Sequence, residues 1–229
     1  MAAKLARLRG WLAAPENRHW KLALWWPIYV IAYSAIGHLG GRIPPICTSL
    51  PLDYRLPYLP GFIIPYLLWF PFWVGTLVYG LVCEPKLFRR TMHFFMLTFT
   101  AAVFVFWLFP TTTGLRPEDP GSGPCALLVR FVYWIDADAN VCPSEHIVGL
   151  FAVLFAVWDS KRLSKPGIKL AAVLVALIIA ASTVLVKQHA VLDLAAAVVL
   201  SLVGWLICFR LPRGRTREND PGARRDPAA

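Results

Sequence analysis

Charge is what this sequence lacks. Only 16% of its 229 residues are Asp, Glu, Lys or Arg, where a soluble domain carries about a quarter. Set beside 58% hydrophobic residues, the shortfall excludes an ordinary water-soluble domain. The strict polar–apolar alternation of strands is missing too, which excludes a membrane β-barrel and leaves a helical bundle. There is no internal repeat. The five cysteines have none of the close spacings of metal ligands. Cys47, Cys125 and Cys142 fall in segments read as lying outside the membrane, where one disulfide is possible and the sequence does not select the pair.

What the sequence does have is long apolar runs: Leu22–Leu39, Gly61–Cys83, Met92–Pro110, Ser144–Trp158, Ile168–Val186 and Ala190–Phe209. A crossing takes about 20 such residues, and the fourth run is the shortest, with Glu145 and His146 in its first turn. The expected fold is all-α: a polytopic membrane protein, a six-transmembrane-helix bundle with both termini cytoplasmic. Under that topology 18 of the 23 lysines and arginines lie inside and five outside, as the positive-inside rule requires. The net charge of +10 then points to basic cytosolic loops and anionic lipid rather than to nucleic acid. Three regions follow. Residues 1–21 form a basic interfacial segment with Leu5, Leu8, Trp11 and Leu12 on one face. Residues 22–210 form the membrane domain. Residues 211–229 form a polar, basic tail that reads as disordered.

Ionisable groups inside apolar tracts are costly and mark function. The stretch Ser182–Asp193, STVLVKQHAVLD, carries Lys187, Gln188, His189 and Asp193 at the junction of the last two runs. His189 and Asp193 are spaced i, i+4, which places them on one helical face, where a carboxylate fixes an imidazole's tautomer and stabilises its cation. The topology brings three segments to the outer side: Arg116-Pro117, Pro143-Ser144-Glu145-His146 and Lys187–Asp193. Pro143 suits a first helical position. The free N–H groups from Ser144 onward would then make an anion site, joined by the Ser144 hydroxyl, the Arg116 fork and the Lys187 charge. An anion cradle with two imidazoles is what phosphoryl transfer without a metal requires, one imidazole attacking phosphorus and the other protonating the leaving oxygen. His38, at the outer end of the first run, and His19 and His93, near the inner face, read as interfacial residues.

Pro143-Ser144-x-His146 followed by Ser182-x6-His189-x3-Asp193 resembles the type 2 phosphatidic acid phosphatase superfamily. That superfamily includes lipid phosphate phosphatases, polyprenyl-diphosphate phosphatases, and sphingomyelin and inositol-phosphorylceramide synthases. The resemblance covers Arg116–Asp193 by motif and the whole chain by its six-span plan. It implies His189 as the nucleophile, Asp193 as its orienting carboxylate, His146 as the acid and then base, and Ser144 and Arg116 on the phosphate, with no metal or other cofactor. Lys187 is expected on the phosphate as well.

Two cations of the superfamily's pattern are missing, with Phe109 seven residues before Arg116 and Thr183 after Ser182. A cation-poor cradle suits a phosphodiester, with its single charge, better than a nearly dianionic monoester. Tyr133, Trp134, Asp136, Asp138 and Glu145 are candidate contacts for a cationic head group; the alternative is an interfacial aromatic belt with solvated acids. The expected activity is hydrolysis of a lipid phosphate ester at the outer face of a bacterial-type cell membrane. The alternatives are transfer of a phospholipid head group to a lipid alcohol, and a non-catalytic carrier or scaffold. The expected partners are a membrane lipid substrate and the bilayer; the sequence does not set the oligomeric state.

Overall fold

The computed structural model describes residues 2–39 and 43–211, the side chains of 2–5, 7, 8 and 37–39 excepted. The expectations for the tail beyond Leu211, for Arg42, for the His38 side chain and for Leu5 and Leu8 therefore lie outside the described residues. The chain is helical nearly throughout. In order come α1 (Ala2–Ala13), a 3-10 helix (Pro15–Leu24), α2 (Trp25–Leu39), β1 (Ile46–Cys47), α3 (Pro51–Arg55), α4 (Ile63–Cys83, entered through a 3-10 turn, Pro60–Phe62), α5 (Pro85–Leu108), β2 (Thr111–Thr112), α6 (Pro124–Ile135), α7 (Glu145–Asp159), α8 (Pro166–Leu185) and α9 (Val191–Trp205, continued by a π turn, Leu206–Arg210). Prolines open α5, α6 and α8, where their missing N–H costs nothing. The two strands are a single parallel pairing, Ile46 with Thr111 and Cys47 with Thr112.

Among the described residues four helices are long and apolar enough to cross a bilayer: Pro60–Cys83, Pro85–Leu108, Pro166–Leu185 and Val191–Arg210. The first and fourth apolar runs fall short of that. The first run splits between the 3-10 helix and α2, and α2 and α7 have 15 residues each. Fifteen residues rise about 22 Å, less than a hydrocarbon core of about 30 Å. The region expected to be one long outer loop, Thr111–Pro143, contains the amphipathic helix α6, which buries Ala126, Val129 and Val132 and exposes Leu127, Phe131 and Trp134.

α7 is the hub, packing against α4, α5, α8 and α9 around Phe94, Phe95, Ile147, Val148, Ile179 and Ala197. Small residues allow the close crossings, as expected where helices pack tightly. A Cβ on Gly204 would meet Thr98 Cγ2 at 2.6 Å and Phe94 at 2.9 Å. The outward faces are apolar, with Ile31, Val82, Phe104, Leu177 and Val199 all exposed.

The bundle has two distinct ends. At one, Glu84 in the α4–α5 turn bonds Ser160 and Lys161 in the α7–α8 turn, and Arg90 pairs with Asp159. Lys86, Arg89, Lys161, Arg162 and Lys165 lie in or beside these turns. At the other end Leu59 N–H donates to the Leu185 carbonyl and Ser144 N–H to the Asp193 carbonyl. The motif residues gather there.

Candidate active site

The end of α8 is what aims the site. Lys187 N–H bonds the Val184 carbonyl and Gln188 N–H the Thr183 carbonyl, with Lys187 at φ 56°. This is a Schellman-like turn with lysine in the left-handed position that glycine usually takes. His189 N–H joins Gln188 on the Thr183 carbonyl. The turn therefore sends Lys187 to one side and Gln188 and His189 to the other.

Lys187, expected on a phosphate, turns away from the cavity bordered by Arg116, His146 and His189. Its buried ammonium donates to the carbonyls of Asp53 at 2.8 Å and Leu56 at 2.7 Å. Burial lowers its pKa, against the pull of Asp53. Its contacts hold a left-handed backbone that a non-glycine residue otherwise avoids.

His189 and Asp193 do not share a helical face, because α9 begins after His189. Ala190 is the N-cap, and Asp193 reaches back to Ala190 N–H at 2.8 Å. His189 Nδ1 lies 3.1 Å from the Val141 carbonyl and 3.5 Å from Asp193 Oδ2. A carbonyl only accepts, so in the neutral ring the proton sits on Nδ1 and the lone pair on Nε2. Orientation comes first from Val141, and Asp193 adds a negative charge at 3.5 Å. The Cys142 thiol, pushed up to about 12 by burial and then by Asp193, stays protonated beside that carboxylate.

His189 Nε2 is 3.1 Å from His146 Nδ1. The His146 ring also meets Tyr66 and Trp69, with centroids 4.8 Å and 4.5 Å away, and Trp69 Nε1 donates to the His146 carbonyl at 2.9 Å. Pro143 is not the first helical residue. Ser144 is the N-cap, its hydroxyl accepting Ile147 N–H at 3.4 Å and its own N–H donating to the Asp193 carbonyl at 3.1 Å. Ser144 is fully buried, and its N–H is not free for an anion.

The two imidazoles border a polar cavity of about 40 Å³ with Arg116, Asp136, Glu145 and Gln188. Arg116 donates to the Asp136 carbonyl at 2.8 Å and to Gln188 Oε1, over the Tyr133 ring at 4.5 Å. Its buried Nε–H has no partner among the described residues. Glu145 accepts from Tyr29 through Oε2, and its buried Oε1 is likewise without a partner. Burial raises the pKa of Asp136, while His189 and Arg116 pull it down.

The other expected head-group contacts stand apart. Trp134 is 80% exposed. Tyr133 donates its hydroxyl to the Val186 carbonyl at 2.7 Å. Asp138 accepts the N–H groups of Thr113 at 3.0 Å and Gly114 at 2.8 Å, bonds that outweigh burial and lower its pKa. Thr111 Oγ1 accepts Val141 and Cys142 N–H, so the threonines pin the 136–143 loop. Phe109 is exposed. Cys47, Cys125 and Cys142 form no disulfide among the described residues, with Cys47 turned to the Thr113 carbonyl and Cys142 beside Asp193.

Gln188, Tyr66 and Trp69 belong to the site without having been singled out for a role. Gln188 Nε2 donates to the Tyr66 hydroxyl at 3.3 Å while its oxygen holds Arg116. Their one sequence signal was the polar Gln188 beside His189. No protein-family model matches this chain, and no curated protein matches it either.

Proposed function

We propose that the chain is a membrane-embedded enzyme that cleaves a lipid phosphate ester by metal-free displacement at phosphorus, as the motif resemblance implies. The observation that carries this reading is the 3.1 Å approach of His146 Nδ1 to His189 Nε2 beside Arg116, across 43 residues of chain. The His189 Nε2 lone pair attacks phosphorus, and the bond to the lipid oxygen breaks. Protonated His146 gives that oxygen its proton. The imidazolium charge that develops on His189 faces the Val141 carbonyl and Asp193. Water, losing a proton to His146, then attacks the phosphohistidine, and the P–N bond breaks.

In the described conformation the two nitrogens touch each other, and the cavity of about 40 Å³ is far below the roughly 300 Å³ of a ligand pocket. Turnover on this reading includes an opening that separates the imidazoles and admits the ester. The exposed apolar face of α6, which runs into Asp136, supports entry from the bilayer. The topology proposed is the six-span one, with α2 and the buried hub α7 as the short crossings, the termini on the basic side and the site on the extracytoplasmic side.

A specific observation favours a second reading, transfer of a phosphodiester head group to a lipid alcohol. Asp136 and Glu145 border the cavity beside a single arginine. That balance disfavours a dianionic monoester and suits a diester carrying an amine, for which Glu145 Oε1 is an open acceptor. The test is a lipid panel assayed for released phosphate and for new phospholipid, with and without diacylglycerol. Turnover by the native chain and none by His189→Ala is expected. Full turnover by that variant removes the mechanism, and lipid binding without turnover by the native chain makes the protein a carrier.

A further inference from the structure

At the basic end, opposite His146 and His189, lies a larger cavity of about 520 Å³, a size typical of small-molecule sites. One wall is the α7 stripe Phe151, Leu154, Phe155 and Trp158, spaced i, i+3, i+4, i+7, and another is Trp205 and Phe209. Val173, Asp159 and Arg210 complete the lining. Asp159 is neutralised by Arg90, which reaches both its oxygens at 2.7 and 2.8 Å. Arg210 lies over the Trp205 ring at 4.7 Å and Lys169 over Trp158 at 5.3 Å. Neither has a carboxylate partner among the described residues. An aromatic groove thus opens beside two cations, held over its own wall, that no carboxylate among the described residues pairs with.

We propose that this groove binds one anionic phospholipid from the leaflet at the basic end, an acyl chain along the α7 stripe and the phosphate on Arg210 and Lys169. The inference rests on the membrane-spanning part of the reading above and not on its chemistry. Charge complementarity selects the occupant: a zwitterionic lipid brings its own cation to the rim, whereas an anionic one does not. Residues 212–229 are the nearest rival by chain connection. They contain no Leu, Ile, Val, Met or aromatic residue and carry five arginines against three acids, so they match neither the apolar wall nor the cationic rim.

The test uses the full chain in detergent, exchanged against equal phosphatidylglycerol and phosphatidylcholine of identical chains, with bound lipid read by native mass spectrometry. Preferential retention of phosphatidylglycerol is expected, by about thirtyfold if each cation adds its usual surface attraction. The preference should fall to near unity in Arg210→Gln/Lys169→Gln, whose changes lie at the groove rim and whose unchanged melting temperature reports an intact fold. A photo-crosslinking amino acid at position 155 identifies the occupant independently. A phospholipid adduct supports the proposal; a cross-linked dimer or an adduct to the tail peptide overturns it. Equal retention of the two lipids by the native chain overturns it too, whatever the fate of the histidine chemistry.

Discussion

The Asp53 carboxylate accepts the Val191 N–H at 2.9 Å, tying α3 to the first residue of α9 across 138 residues of chain. Its other oxygen accepts Leu50 N–H at 2.8 Å, so one fully buried carboxylate caps two helix starts. Helix starts leave N–H groups unsatisfied, and an acid is the favoured partner. Asp53→Ala strands both donors. At roughly 1.5–3 kcal/mol for each bond to a charged group, the variant should unfold several degrees earlier and lose activity in parallel. Denaturant melts and a turnover assay on the same preparation check this; an Asp53→Ala protein as stable as the parent would contradict the capping role.

Lys187 and Gln188 are adjacent and should fail in different ways. The Lys187 ammonium is spent on the Asp53 and Leu56 carbonyls, so Lys187→Met should lower the melting point and leave KM for the phosphate ester nearly unchanged. Gln188 holds Arg116 at the cavity, so Gln188→Ala should melt close to the parent and lose about 10–100-fold in kcat/KM, the worth of a hydrogen bond to a charged group. Steady-state kinetics beside a melt separates the two, and a reversed pattern would mean that Lys187 serves the phosphate after all.

His146, as the proton donor to the leaving oxygen, matters most when that oxygen is a poor leaving group. In the first step, read as release of the leaving group within one turnover, His146→Ala should lose about 10²–10⁴-fold on a lipid alcohol ester and far less on an aryl phosphate ester, whose phenolate leaves unaided. His189→Ala should lose turnover on both. Equal losses of His146→Ala on the two substrates in that first step would remove this imidazole as the acid for the leaving oxygen.

Gly149 makes room for the indole that positions His146. A Cβ there would stand 2.7 Å from Trp69 Nε1 and 2.9 Å from its ring, and the indole N–H holds the His146 carbonyl. Gly149→Ala should cost about 1–3 kcal/mol, the usual range for overpacking, and lower kcat beyond what the lost folded fraction explains. Tryptophan fluorescence reports the displaced ring; a Gly149→Ala protein with parental spectrum, stability and kcat would show that Trp69 has slack.

The four longest helices were legible because a bilayer-length apolar run has few other uses. Their ends were less so. α5 starts at Pro85, seven residues before the run Met92–Pro110, because hydropathy fades at Lys86, Arg89 and Arg90 while the helix continues through them. α6 was hidden by the glycines and prolines ahead of it in the Thr111–Pro143 stretch. The gathering of Arg116, His146 and His189 at one end was legible from loop charge alone. The fates of Lys187 and Ser144 were not, since each turns on a cap: the left-handed turn at Lys187 rotates its side chain away, and the N-cap at Ser144 uses the groups an anion would need. Capping partners such as Asp53 are fixed by tertiary contact and leave no spacing in the sequence to read.

Glu84 gives the fold a defined acid limit at the end away from His146 and His189. Burial alone would raise its pKa, but hydrogen bonds from Ser160 Oγ and Tyr79 Oη, both 2.6 Å, and from Lys161 N–H at 3.0 Å favour the carboxylate and bring it from 4.5 down to about 2. A carboxylate with a folded pKa below its unfolded value stabilises the protein above the unfolded pKa, and that contribution disappears as pH falls through the folded one. The bonds clip the α4–α5 turn to the α7–α8 turn, so their loss loosens α7, the helix that carries His146. The melting-point gap between the native chain and Glu84→Gln should be full at pH 7, begin to shrink below pH 4.5 and close towards pH 2. The exposed Arg90–Asp159 pair is common to both proteins and cancels in the difference. A gap that stays constant from pH 7 to acid would assign the cost of Glu84→Gln to packing rather than to the ionised carboxylate.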